Sequence, residues 1–153
     1  ALKLEGGAEI SDSIRKMVTA GIPVCGHLGL TPQSIHKFGG YGVRAKEEAE
    51  ATKLILDAKV LAEAGCFAIV VEKIPADLTQ NVAEAVSVPI IGIGAGSADG
   101  QVLVVDDMLG KNEGFRPKFL RVYANIAQVM TDAIGQYVTD VKSGDFPNEQ
   151  ERY

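Results

Sequence analysis

A chain of 153 residues with a formal net charge of -5 is the size of one domain, and its charge argues against a nucleic-acid or anionic-membrane surface, which needs clustered Lys and Arg. Its 46% hydrophobic and 23% charged residues suit a soluble globular protein with a real core. A small anionic substrate stays compatible, because one local Lys outweighs a distant net charge.

Cys25 and Cys66 lie far apart among apolar neighbours. They fit no metal spacing and read as reduced thiols of a cytoplasmic protein. No run of 18 apolar residues offers a membrane span. The opening Ala1-Leu2-Lys3-Leu4-Glu5 has neither the basic nor the apolar region of a signal peptide. Without a Met, it reads as the middle of a strand whose beginning is expected upstream.

The first apolar run, Ala1 to Leu4, ends in Glu5-Gly6-Gly7. A helix is predicted next, capped by Ser11 or Asp12, with Ile14, Met17 and Val18 on one face and a stop at Gly21. Ile22 to Cys25 enters a second strand that opens into Gly26-His27-Leu28-Gly29-Leu30. Residues 31–46 form a long loop rich in Gly, Ser and Thr, a length typical of functional or mobile loops. A helix from about Glu47 to Ala64 follows, and then a third strand, Phe67 to Val71, closing on Glu72. Leu78, Val82 and Ala85 mark a short helix. Val88 to Ile93 and Val102 to Val105 read as the fourth and fifth strands, and a last helix is predicted over about 118–142, followed by a polar tail over 145–153. Phe119, Val122, Ile126, Met130, Ile134 and Val141 lie near one stripe of that helix.

Strands this uniformly apolar predict a parallel sheet covered on both faces. The two solutions are an open doubly wound sheet and a closed eight-stranded barrel. In both, function collects at the carboxyl ends of the strands. Those ends carry Lys3 and Glu5, His27, Glu72, Gly94-Ala95-Gly96, and Asp106 with Asp107. Glu72 stands out: a carboxylate at an apolar mouth is partly desolvated, which suits a general base. Lys73 points to the opposite strand face and makes a poor ion partner for it. Lys3 suits a substrate carboxylate, and Glu5 suits one ligand of a divalent metal. His27 is open to a catalytic role or to a structural bond with a loop carbonyl. His36 belongs on the surface. Gly92-Ile93-Gly94-Ala95-Gly96 departs from a dinucleotide fingerprint at Ser97 and Asp99 but could present amides to an anion. Asp106 and Asp107 fit a helix N-cap better than a metal.

The stretch Pro23-Val24-Cys25-Gly26-His27-Leu28-Gly29-Leu30-Thr31-Pro32-Gln33-Ser34, with Gly39-Gly40-Tyr41 after it, closely resembles ketopantoate hydroxymethyltransferases. So do Lys3-Leu4-Glu5-Gly6-Gly7, Val70-Val71-Glu72 before Pro75, Pro89 to Gly96, Pro117-Lys118-Phe119 and Ser143 to Pro147. The resemblance implies a (β/α)8 TIM-type barrel of the phosphoenolpyruvate/pyruvate superfamily. It implies transfer of a hydroxymethyl group from 5,10-methylenetetrahydrofolate to 3-methyl-2-oxobutanoate, through an enolate stabilised by Mg²⁺, in pantothenate biosynthesis. By the same resemblance Glu72 is the proton acceptor, Lys3 binds the keto acid and Glu5 is a Mg²⁺ ligand.

A barrel of this kind takes about 250 residues. By the resemblance the chain is expected to cover the fourth to the eighth strand, with the other metal and keto-acid ligands in an amino-terminal segment. An open arc has unpaired edges, so the chain alone is expected neither to fold stably nor to catalyse. A related carbon–carbon lyase and a non-catalytic half-barrel module are the competing readings. The resemblance also implies a homo-oligomeric ring, a decamer, for which the last helix could supply an interface.

Overall fold

The computed structural model describes residues 1–114 and 116–153. They divide into two compact units, residues 1–102 and 103–153. The division falls where strand pairing ends: among the described residues, nothing beyond Gln101 joins the sheet.

The first unit is a parallel sheet of five strands: β1 (Leu2–Glu5), β2 (Val24–Gly29), β3 (Ala68–Glu72), β4 (Ile90–Ile93) and β5 (Gly100–Gln101). Their order in space is β1-β2-β3-β4-β5. A doubly wound sheet reverses its order at a switch point; this one does not, so the winding is that of a barrel. The three connections from β1 to β4 are helical, through α1 (Ser11–Thr19), α2 (Ile35–Phe38) with α3 (Glu48–Glu63), and α4 (Ala76–Ala85), while β4 reaches β5 without a helix.

Register fixes which side chains share a face. Lys3 pairs with Cys25 and Glu5 with His27; His27 pairs with Val70 and Gly29 with Glu72; Val70 pairs with Ile91 and Glu72 with Ile93. Paired residues of parallel strands point the same way and alternate along each strand. The other face carries Val24, Leu28, Ile69, Val71 and Ile90, all buried with Ile14 of α1, Leu61 of α3 and Val82 of α4 in one cluster. Each such side chain contributes about 1.5–3 kcal/mol by leaving water. Gly26 lets α3 approach β2, since a Cβ there would lie 2.9 Å from Leu61 Cδ1. On the first face Val70, Ile91 and Ile93 are only half-buried, so the core is one-sided in these residues. The uncovered face is the one a barrel turns inward.

Most elements fall close to their predicted positions, with local differences. A 3-10 turn over Ala8–Ile10 runs straight into α1, so Ser11 is the first helical residue, buried, and not a side-chain cap. The segment Gly26–Gly29 is strand, not a turn after one. The 31–46 loop contains a 3-10 turn at Pro32–Ser34 and the short α2.

Two expectations for the chain beyond β5 are corrected. Val102–Val105 is not the fifth strand. Pairing ends after Gln101, the Val102 N–H reaches Gly92 O at 3.0 Å, and Val105 already begins a helix, α5 (Val105–Met108). Asp106 and Asp107 fall in its first turn, which favours negative charge, but the cap is Val104. The last helix, α6, spans Ile126–Ser143. Before it, Tyr123 N–H donates to Met108 O at 2.7 Å, a bond outside any helix. Asn125 caps α6 by accepting from Gln128 N–H at 3.4 Å, so Phe119 and Val122 lie outside the helix. Among the described residues no helix is long and apolar enough to cross a membrane.

Candidate active site

The carboxyl ends of β1, β2 and β3 bring four ionisable side chains to one face. Lys3 and Glu5 leave β1, His27 leaves β2 and Glu72 ends β3. Lys3 Nζ donates to His27 Nδ1 at 2.8 Å. An ammonium has no acceptor, so Nδ1 must carry the lone pair and the ring proton of the neutral imidazole sits on Nε2. That nitrogen lies 3.2 Å from Glu72 Oε2. It is buried and off the line of a proper hydrogen bond. The contact is therefore close but unfinished, the state in which a small shift of the carboxylate would complete it. His27 is 3% exposed, and the side chains of Glu5 and Glu72 are 14% and 16% exposed. Lys3, at 47%, reaches out to solvent.

Glu5 is hydrogen-bonded at one oxygen and lies near the Lys3 charge at the other. Oε2 accepts from Gln33 N–H at 2.9 Å, while Oε1 faces Lys3 Nζ at 3.9 Å and His27 Nδ1 at 3.8 Å. The Pro32-Gln33-Ser34 turn thus orients this carboxylate. Among the described residues no group of three or more His, Cys, Asp or Glu side chains could hold a metal. Glu5 fits the part of a single ligand, and Mg²⁺ commonly takes one or two carboxylates with substrate oxygens and water.

A cavity of about 690 Å³ opens beside these groups, with Glu5 and His27 at one side and Phe38, Arg44, Lys53 and Asp57 at the other. The Arg44 guanidinium stacks 4.0 Å above the Phe38 ring and pairs with Glu50. Asp57, buried on α3, accepts from Ala8 N–H at 3.1 Å and from Lys53. It thereby ties α3 to the turn that follows Glu5. Gly7 makes room for it: a Cβ at Gly7 would lie 2.2 Å from Asp57 Cγ. Glu9, on the same turn, is held below the usual carboxylate range, first by the Gly7 N–H and also by Lys53.

Nothing in the sequence singles out Asp57; a charged residue in an Ala-, Lys- and Leu-rich helix looks solvated. The only hint is the paired glycine at position 7. The remaining candidates lie elsewhere. His36 is exposed on α2. The Gly94-Ala95-Gly96 loop packs on α4, where Thr79 Oγ1 donates to Ala95 O at 2.5 Å. A Cβ at Gly96 would meet Ala76 Cβ at 2.4 Å, so close packing explains that glycine. Asp106 and Asp107 belong to the second unit and meet Lys111 and Asn112. Burial pushes the Cys25 and Cys66 thiols up, and both cysteines are free.

A sequentially wound parallel sheet with a Lys, His and two Glu at adjacent strand ends defines a barrel-type α/β enzyme core. The family model for ketopantoate hydroxymethyltransferase matches residues 1–149. The chain belongs to this family. It is 66% identical to the 3-methyl-2-oxobutanoate hydroxymethyltransferase of Flavobacterium johnsoniae over 100% of the chain and 57% of that relative. For the protein of the same name from Bacteroides thetaiotaomicron the values are 66%, 100% and 56%, and for that of Porphyromonas gingivalis 61%, 99% and 56%. The chain therefore spans just over half the length of the curated relatives it matches.

Proposed function

We propose that this chain carries the proton-abstracting part of a hydroxymethyl transfer from 5,10-methylenetetrahydrofolate to 3-methyl-2-oxobutanoate, a step toward pantothenate. The relatives' names support the transfer, and the approach of His27 to Glu72 at 3.2 Å, with Lys3 behind the imidazole, is the observation that carries the base assignment. Glu72 removes the proton at C3 of the keto acid. The C3 carbanion then bonds to the methylene carbon, whose two bonds to folate nitrogens are replaced by this C–C bond and by a C–O bond to a water molecule; the two nitrogens take up the proton from C3 and one from the water. His27, with its proton on Nε2, orients Glu72 and holds it within the sheet face. Lys3, the most exposed of the four, offers its remaining N–H groups to the carboxylate of the keto acid.

Mg²⁺ would polarise the keto oxygen and so acidify C3, and Glu5 is the one ligand this chain contributes. In this reading the five strands are the fourth to the eighth of a closed barrel. The other metal and keto-acid ligands come from outside these residues, and the chain by itself is inactive. The exposed apolar residues of α6, among them Val129, Ile134 and Tyr137, suit assembly of several copies in the cytoplasm. The test is exchange of the C3 proton with solvent in the full-length protein, without folate: Glu72→Gln should abolish it. A related carbon–carbon lyase would instead cleave the product without needing folate.

A further inference from the structure

The peptide that joins Glu72 to Lys73 is pinned from several sides. Leu30 N–H donates to Glu72 O at 2.8 Å, Lys73 N–H donates to Ile93 O at 2.9 Å, and Arg44 N–H donates to Lys73 O at 2.8 Å. The Lys73 ammonium in turn donates to the Tyr41 carbonyl. Two non-glycine residues at this junction adopt left-handed backbone, Lys73 with φ +47° and Ala45 with φ +53°. Such a conformation costs about 1–3 kcal/mol and persists only where the surroundings over-determine it. Here they do: Ala45 is 2% exposed, within the core cluster, and the Arg44–Lys73 bond ties Lys73 to the residue just before Ala45.

We infer that Lys73 is a positioning residue for Glu72, latching the end of the 31–46 loop to the base and so coupling occupancy of the neighbouring cavity to the direction of the carboxylate. The inference rests on the reading of Glu72 as the base. The backbone bonds fix where β3 ends. The ammonium fixes the loop over that end. Arg44 and Phe38 lie on the same loop and line the cavity with Glu5 and His27, so a ligand that touches their stacked pair moves Arg44, and Arg44 N–H is bonded to Lys73. Lys73 itself does not touch the cavity wall or the reacting atoms.

The test uses the full-length protein and 3-methyl-2-oxobutanoate, following C3 exchange in D₂O without folate together with steady-state transfer. Lys73→Asn and Lys73→Gly both tolerate positive φ but cannot reach the Tyr41 carbonyl, while Lys73→Arg keeps a long cationic donor. Asn and Gly should lower the exchange rate and kcat about tenfold, short of the roughly 10²-fold that a 1 Å misplacement can cost, with KM little changed. Arg should restore most of the rate. Parental kcat in the Asn and Gly variants overturns the inference, as does an Arg variant no better than Asn. A variant that melts earlier without a kcat loss also overturns it, since that marks a purely structural lysine. If Glu72→Gln leaves exchange intact, the base assignment itself fails. If Glu72→Gln abolishes exchange while Asn and Gly do not alter it, only the positioning role fails.

Discussion

Gly29 stands opposite Glu72 in the sheet, and its replacement by Ala perturbs the base without touching it. Its φ is +85°, a left-handed conformation that costs an L-residue about 1–2 kcal/mol. A Cβ would also lie 2.3 Å from the Glu72 carbonyl oxygen and 2.8 Å from Ile74 Cγ2. Real Cβ atoms essentially never come under 3.0 Å, so the carbonyl must retreat by at least 0.7 Å. That retreat strains the bond Leu30 N–H makes to the same oxygen at 2.8 Å. Overpacking of this kind typically costs about 1–3 kcal/mol. Gly29→Ala should therefore destabilise the full-length protein by about 2–5 kcal/mol in urea unfolding. At temperatures where it stays folded, C3 exchange should fall, because the peptide that carries Glu72 has moved. A stability within about 0.5 kcal/mol of the parent, the usual effect of a neutral surface change, would refute the packing argument.

Other outcomes follow from the same geometry. Asp57→Ala leaves the Ala8 N–H without its acceptor and should cost about 1–3 kcal/mol by chemical unfolding; Asp57→Asn, which keeps an acceptor, should cost less, and equal losses would show that the hydrogen bond contributes nothing. Glu9 titrates below its ordinary range because the Gly7 N–H and Lys53 favour its charged form. A depressed folded-state value contributes stability above the unfolded value, about 4.3, which is lost as pH falls through the folded one. Thermal midpoints of the parent and Glu9→Gln should then differ at neutral pH and converge in acid; a constant difference would remove the ionic explanation. The Lys73 series adds the kinetic counterpart for the base.

The site was legible where chemistry and period coincide. Glu72 follows an apolar run that forms β3 as predicted, and Lys3 and Glu5 share a face because strands alternate. His27 was left open, since one histidine in a Gly-rich stretch does not reveal that Lys3 will bond one ring nitrogen and Glu72 approach the other. Lys73 enters the sequence reading only as a poor ion partner for Glu72. Its left-handed backbone comes from bonds to Ile93 and Arg44, both distant in sequence, and no local pattern encodes them. The same limit explains β5. Val102 to Val105 has every local mark of a strand, yet Gly100 and Gln101 take the places beside Ile91 and Gly92, and Asp106 and Asp107 favour a helical turn at Val105. Residues 118–125 keep a helical period by composition, while Asn125 supplies the cap that starts α6 later.

The central claim is that Glu72 takes the C3 proton. The rate of deuterium incorporation at C3 of 3-methyl-2-oxobutanoate, with Mg²⁺ and without folate, measures that step alone in the full-length protein. Glu72→Gln removes the base while keeping the size of the side chain, and exchange should fall by about 10²–10⁴-fold, the usual contribution of general base catalysis, with the protein still folded. Exchange at the parental rate in Glu72→Gln would contradict the account and move the base to another residue.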